Sequence, residues 1–505
     1  MFRLLFWAFA LLPLAFLLLT VAAPLAAMLR YDDTAPLWGE MLSDGYYRWR
    51  IGWTVFQAAC TAALTLLLAI PAGWVLARLA FRGRLLLLRL LMLPFITPTL
   101  VAGMGVLALF GERGLLWRGW QDTPYLLLYG NIFFNLPVAV RAAYQGFRQV
   151  PANRLAAAQT LGANAWQRLR HIEWPVLRPW LAGAGCLIFL YCFSGFGLAL
   201  LLGGQRYATV EVEIYQLIAY ELDMAHAAVL VWLVLAVTAL AGGAYALLSL
   251  RTHAAAVRPK PPGPPQTRME KCLLAAVLGG LAFFCALPLL AVPWRAAGAG
   301  SSWQVLWDED TRLAVWNTLR FTTIATLAAA VLGLAHAALA RRIGAARGLT
   351  FLPFMVSPVC LAFGMLLCYP QATASLAMLA ALYVLLAYPF VTKDVLAAWD
   401  ALPPAYTSAA RLFGATPFQA ACRVTLPLLR PALRRGLTLA AATGIGEFAA
   451  TLLLSRPEWT TLTTLIYRYL GKPGAENYDK AAVLTVLLMV LAAAVFAVLD
   501  GRESE

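Results

Sequence analysis

The sequence predicts an all-α polytopic membrane protein, with twelve transmembrane helices in two homologous six-helix halves. Three observations carry that prediction. Of the 505 residues 62% are apolar and only 12% charged, about half the charge of an ordinary soluble domain. Apolar runs of about 20 residues, long enough to cross ~30 Å of hydrocarbon, recur along the whole length. The second part of the chain also repeats the first in the same order. This composition excludes a soluble enzyme, and it excludes disorder, which needs few hydrophobic residues and a high net charge.

Breaking the apolar windows at charges and at Pro/Gly clusters gives spans at 4–29, 53–77, 86–110, 125–145, 180–202, 226–250, 272–294, 316–340, 349–369, 372–392, 433–455 and 481–499. The first span could pass for a secretory signal, but its apolar part exceeds the ~7 to 15 residues of such a segment, so it is read as a helix. With the N-terminus inside, the inner loops and inner span ends hold 26 Lys and Arg and the outer loops 12, with Arg320 inside a span. That bias assigns both termini to the cytoplasm.

The duplication is specific. Trp53 to Arg78 aligns with Trp316 to Arg341 at a constant offset of 263, each ending in Leu-Ala-Arg. Leu93-Pro94-Phe95 then meets Leu352-Pro353-Phe354. From Pro151 to Gln216 the offset is 252 without a gap, and the matched positions include Pro, Gly and Arg. A duplicated membrane unit in one orientation implies a parallel repeat. The halves are 1–250 and 272–505, with repeat cores at about 50–250 and 313–500. Residues 251–271 join them and contain Pro259-Lys260-Pro261-Pro262-Gly263-Pro264-Pro265, a composition that reads as an extended cytoplasmic tether.

The longest inner loop of each half carries the best repeat match, opposite to the usual variability of loops. In each copy a proline precedes an alanine-rich stretch, which predicts a short helix, and a glycine about ten residues on supplies the reversal. Pro175 and Pro427 are expected to stop a second short helix before the next span. Small side chains at Ala157, Ala158, Ala409 and Ala410 would let the helix backbone sit deep in a partner's cleft or pack against the protein's own span ends.

These residues resemble the EAA loop of ABC importer permeases: two alanines, three residues, a glycine, then nine residues to an Ile-x-Leu-Pro-like end. Ala157-Ala158, Gly162 and Ile172-Glu173-Trp174-Pro175 match it, as do Ala409-Ala410, Gly414 and Val424-Thr425-Leu426-Pro427. Ala156 and Ser408 stand where that family has its glutamate. Gly446-Glu447-Phe448 with Ala450-Thr451-Leu452 is similar to fused double permeases of the ferric-iron and thiamine branch. The resemblance implies a multi-pass protein of the bacterial inner membrane that works with two cytoplasmic ATP-binding cassette subunits and a periplasmic solute-binding protein. The two loops would then be the ATPase-coupling elements, and the solute ferric iron, thiamine or a related small molecule.

Other chemistry finds little support. The eight cysteines form no CxxC pair and the four histidines no HExxH spacing, so no metal or cofactor is expected. No GxxxxGK[ST] stretch exists, so an ATPase site of its own is not expected. The +15 net charge lacks the aromatic-interleaved stripe of a nucleic-acid groove. Two ionisable residues lie within spans, where each is costly. Glu447 is a candidate pathway acid or a structural acid held by neighbouring hydroxyls, and Arg320 is placed to snorkel. Trp38, Tyr46, Tyr47, Trp49, Trp53, Trp303, Trp307 and Trp316 read as an interfacial belt. Glu211, Glu213, Glu221 and Asp223, with Asp308-Glu309-Asp310, are acids of the outer loops that could meet a periplasmic partner. A proton-coupled secondary transporter would need more titratable groups along its path. A membrane-embedded enzyme would need paired acids or a nucleophile elbow.

Overall fold

The computed structural model describes residues 2–31, 34–121, 123–249, 259–350, 352–373, 375–454 and 456–500. Linker residues 251–258 and the C-terminal residues 501–505 lie outside them. Among the described residues the chain is helical, without β-strands. In order, the elements used below are α1 Trp7–Met28, α2 Gly45–Arg78, α3 Thr99–Phe110, α4 Pro124–Arg148, α5 Ala152–Thr160, α6 Ala165–Phe193, α7 Met224–Leu248 and α8 Arg268–Ala297. They continue with α9 Glu309–Arg342, α10 Pro358–Cys368, α11 Leu376–Ala401, α12 Pro404–Leu412, α13 Leu426–Ile445, α14 Ala449–Leu454 and α15 Ala475–Leu499.

Among the described residues nine of these helices are long and apolar enough to cross a membrane, or ten if one bent pair counts as a span. The expected span 86–110 is that pair: Arg84–Ile96 and α3 meet at 99°. The break falls at Thr97-Pro98, where Thr97 is extended, because a proline lacks the N–H and pushes the preceding residue out of the helical region. The expected span 349–369 divides into a four-residue helix, Leu352–Met355, and the 11-residue α10, opened by Ser357-Pro358. In 433–455, α13 carries Arg434 and Arg435, stops at Ile445 and resumes as α14. The first repeat interrupts its corresponding segment at the same place, after Phe193, and resumes with a short helix Gly197–Leu202.

Two compact units form, one of residues 35–216 and 229–295, the other of residues 1–34, 217–228 and 296–505. In the first, α2, α4 and α6 pack together, and α8 lies on α4, where Tyr129 Oη donates to the Phe283 carbonyl at 2.6 Å. In the second, α9, α11 and α13 form the matching trio and α1 lies on α9 and α10. Tyr369 Oη donates to the Leu19 carbonyl at 2.8 Å, and the rings of Phe16 and Tyr388 meet edge to face at 6.0 Å. Packing and chain order thus group the helices differently: α1 sits with the second repeat and α8 with the first. Buried small residues at four-residue spacing on α9, Ala325, Ala329, Gly333 and Ala337, leave room for neighbouring helices to approach closely.

Candidate functional site

The two loops singled out by the repeat adopt one backbone design. Pro151 and Pro403 each stand one residue before a nine-residue helix, α5 or α12. Each helix ends with Gly162 or Gly414 in the left-handed region, at φ +78° and +83°. In the first copy Ala163 N–H donates to the Ala158 carbonyl at 2.9 Å and Gly162 N–H to Gln159 at 3.0 Å; in the second, Ala415 donates to Ala410 and Gly414 to Arg411, both at 3.1 Å. This is the Schellman pattern, which closes the orphan carbonyls of a helix end and favours a residue without a Cβ. A Cβ on either glycine would meet nothing within 4 Å, so conformation rather than space demands glycine there.

A second helical start follows at once. Asn164 Oδ1 accepts from Gln167 N–H at 2.8 Å while Gln167 Oε1 accepts from Asn164 N–H at 2.9 Å; Thr416 and Gln419 repeat the exchange at 3.2 and 2.9 Å. Two orphan donors are satisfied in each box. The expectation that Pro175 and Pro427 stop this helix is corrected by the structure. α6 runs without interruption from Ala165, through the π-turn Leu169–Glu173, into its long apolar part. In the second copy the π-turn Ala421–Thr425 leads straight into α13. Each proline falls within two residues of its π-turn, where the ladder is already irregular and its missing N–H costs little.

Within this frame Ala157 and Ala409 are exposed and Ala158 and Ala410 half-buried. Ile172 and Val424 lie half-buried in the π-turns, and Pro175 and Pro427 are exposed. The most exposed large apolar side chains of the two loops sit at the helix ends and were missed by sequence reasoning. Leu161 is 88% exposed, Phe413 92% and Leu412 87%, with Trp166 and Phe418 also outward. Leu161 and Phe413, like Trp166 and Phe418, are related by the offset of 252, so the alignment held the signal. Each loop therefore presents an apolar tip on a rigid turn.

The anchoring of the two copies differs. In the first, Arg78 Nη2 at the end of α2 donates to Glu173 Oε1 at 2.8 Å, with both side chains under 9% exposed. In the second, Thr425 takes the place of Glu173 and the counterpart of Arg78 is Arg341. Its guanidinium lies 3.7 Å from Asp400 and 5.2 Å from the Trp399 ring, both carboxylate and guanidinium more than a third exposed. Arg341 and Thr425 line one small recess.

Glu447 lies in the break between α13 and α14. Its Oε1 accepts from Ala450 N–H at 2.8 Å, capping α14, and its carbonyl accepts from Thr463 Oγ1 at 2.8 Å. The first repeat buries a different polar set: Asn131 Nδ2 donates to Gln57 Oε1, and Gln57 Nε2 to the Cys192 carbonyl, both at 2.9 Å. Arg320 is half-buried with its guanidinium 5.9 Å from the Phe321 ring. Two of the outer acids are corrected as partner contacts: Glu211 and Glu213 are buried. Glu213 accepts from Arg50 Nε at 3.0 Å and from Tyr46 Oη at 2.7 Å, and Asp223 meets His226 Nδ1 at 2.7 Å.

Comparison with known proteins matches the inner-membrane component of binding-protein-dependent transport systems twice, over residues 69–254 and 329–501. The chain is 29% identical to the thiamine transport system permease protein ThiP of Escherichia coli K12, across 96% of this chain and 95% of that one. Its likeness to ThiP of Haemophilus influenzae is 26%, across 90% and 88%. The molybdate/tungstate transport system permease protein WtpB of Thermococcus kodakarensis is 28% identical across 37% of this chain and 73% of its own. With two copies of the component covering most of its length, the chain belongs to the family of binding-protein-dependent transport system inner-membrane components.

Proposed function

We propose that this permease imports thiamine or a closely related small solute, driven by two separate cytoplasmic ATPase subunits that grip α5 and α12. Thiamine is favoured because the relatives alike over nearly the whole chain are thiamine permeases, whereas the molybdate/tungstate relative covers about a third of it. The bent and broken segments complete a twelve-pass path with both termini in the cytoplasm, and a periplasmic binding protein delivers solute from the other side. The two repeats act as the two permease halves. Ala157, Ala158, Gly162, Ile172 and Pro175, with Ala409, Ala410, Gly414, Val424 and Pro427, shape the coupling elements rather than bind solute.

The observation that supports this reading is the same rigid helix, left-handed glycine and capping box built twice, each ending in an apolar tip. A turn fixed in this way transmits displacement instead of absorbing it, so closure of an ATPase dimer would rock each repeat. Gly162→Val tests it, because a β-branched residue in the left-handed region costs upwards of ~1–2 kcal/mol while Asn tolerates that region. ATP-dependent thiamine uptake in cells is expected to vanish in Gly162→Val and to survive in Gly162→Asn, with membrane insertion equal in both. Full uptake in Gly162→Val refutes the coupling role. Uptake that persists in vanadate-treated vesicles with the proton gradient intact would instead favour a secondary transporter.

A further inference from the structure

The Pro-rich linker is not a loose tether where it is described. Gly263 N–H donates to the Arg78 carbonyl at 3.0 Å, and Ala80 N–H donates back to the Gly263 carbonyl at 2.7 Å, so the linker runs parallel to Leu79 as a one-residue bridge. Four residues earlier Pro259 runs antiparallel beside Pro151, the residue that opens α5. Pro259 also walls a recess with Tyr144, Gln145, Arg148 and Gln149 at the end of α4. The linker segment therefore joins the start of the first coupling helix to the inner end of α2.

Arg78 is the hub of this arrangement. Its carbonyl holds the linker, and its guanidinium holds Glu173 in the π-turn that closes the same coupling loop. α5 is thus tied to α2 at both ends of its loop, through Pro151 and through Glu173. The second loop has neither tie: Thr425 offers no carboxylate, Arg341 reaches a half-exposed Asp400 instead, and among the described residues no extended segment is bridged to α9. A buried charge pair that loses one partner leaves the other uncompensated, whereas an exposed pair contributes little.

We propose that linker segment Pro259–Gly263 and the Arg78–Glu173 pair are positioning elements that clamp the first coupling helix onto α2, making the two ATPase-docking loops mechanically unequal. The clamp itself is a property of the chain, and its role in transport rests on the coupling function proposed above. Prolines suit the linker to this task, since a pre-extended segment loses little conformational freedom when it docks.

Hydrogen exchange on the full-length permease in nanodiscs tests the clamp without any ATPase present. Amides of 152–163 are expected to exchange more slowly than those of 404–415. Glu173→Gln and, separately, Gly263→Pro, which removes the donor to Arg78, are each expected to speed exchange at 152–163 roughly tenfold and leave 404–415 unchanged. The charge swap Arg78→Glu with Glu173→Arg is expected to restore much of the protection. Equal exchange at 152–163 in the wild type, Glu173→Gln and Gly263→Pro overturns the proposal. With the ATPase and binding protein added, both variants are expected to hydrolyse ATP while moving several-fold less thiamine per ATP. If the wild type shows no ATP-driven uptake while the exchange pattern holds, the functional reading fails and the clamp stands.

Discussion

The two repeated loops share a backbone yet differ in what holds them. Helix, left-handed glycine and capping box coincide residue for residue, and these are local devices whose residues lie within about fifteen positions of one another. The anchors are long-range: Arg78 reaches across 95 positions to Glu173, and Arg341 across 59 to Asp400. The two copies agree in the local turn and differ in what lies behind it. The same division recurs near the N-terminal end of α2, where Arg50 and Glu213 form a buried pair and the second repeat has Leu313 and Leu465 at the same offsets.

That contrast can be broken or sharpened by substitution. The largest effect is expected at the tips: Leu161→Asp and Phe413→Asp should each lower ATPase co-purification by roughly a hundredfold, the loss expected of a central interface residue. Unequal losses would show that the docking faces themselves have diverged. Next come the buried charges of the first repeat. Glu213→Leu alone is expected to cost about 3–5 kcal/mol by leaving the buried Arg50 guanidinium without its counter-charge, and the double change Arg50→Leu with Glu213→Leu to recover most of it, read by thermal unfolding. A smaller effect is expected when the clamp is transplanted: Thr425→Glu places a carboxylate in the recess that Arg341 already lines, slowing exchange at 404–415 several-fold. The smallest is Asp400→Asn, whose exposed pairs with Arg341 and Arg347 are expected to contribute under ~1 kcal/mol to stability.

Much of this was legible from sequence because the informative features are periodic or local. Apolar run length exposed the membrane class, and the gapless offset of 252 exposed both loops. The straightness of the spans was not legible: Thr97-Pro98 and Gly446-Glu447-Phe448 are averaged into their apolar surroundings by a hydropathy window, yet each bends or breaks its helix. The proline at 175 misled in the opposite direction, since a π-turn just upstream absorbed it. Pairings such as Arg78 with Glu173 and Arg50 with Glu213 join distant positions, and a one-dimensional pattern holds no distance between them. Glu213 looked like a surface acid for that reason alone.

The bridged linker bears on how the two repeats could grow apart. A permease made from identical separate chains must make every substitution twice, so a Glu at 173 would arrive together with one at the equivalent position of its twin. Here each copy always travels with one different sister, and a docked proline segment that exists once per molecule marks which copy is which. The molecule thereby has a fixed left and right, and two ATPases alike in sequence would meet unlike handles.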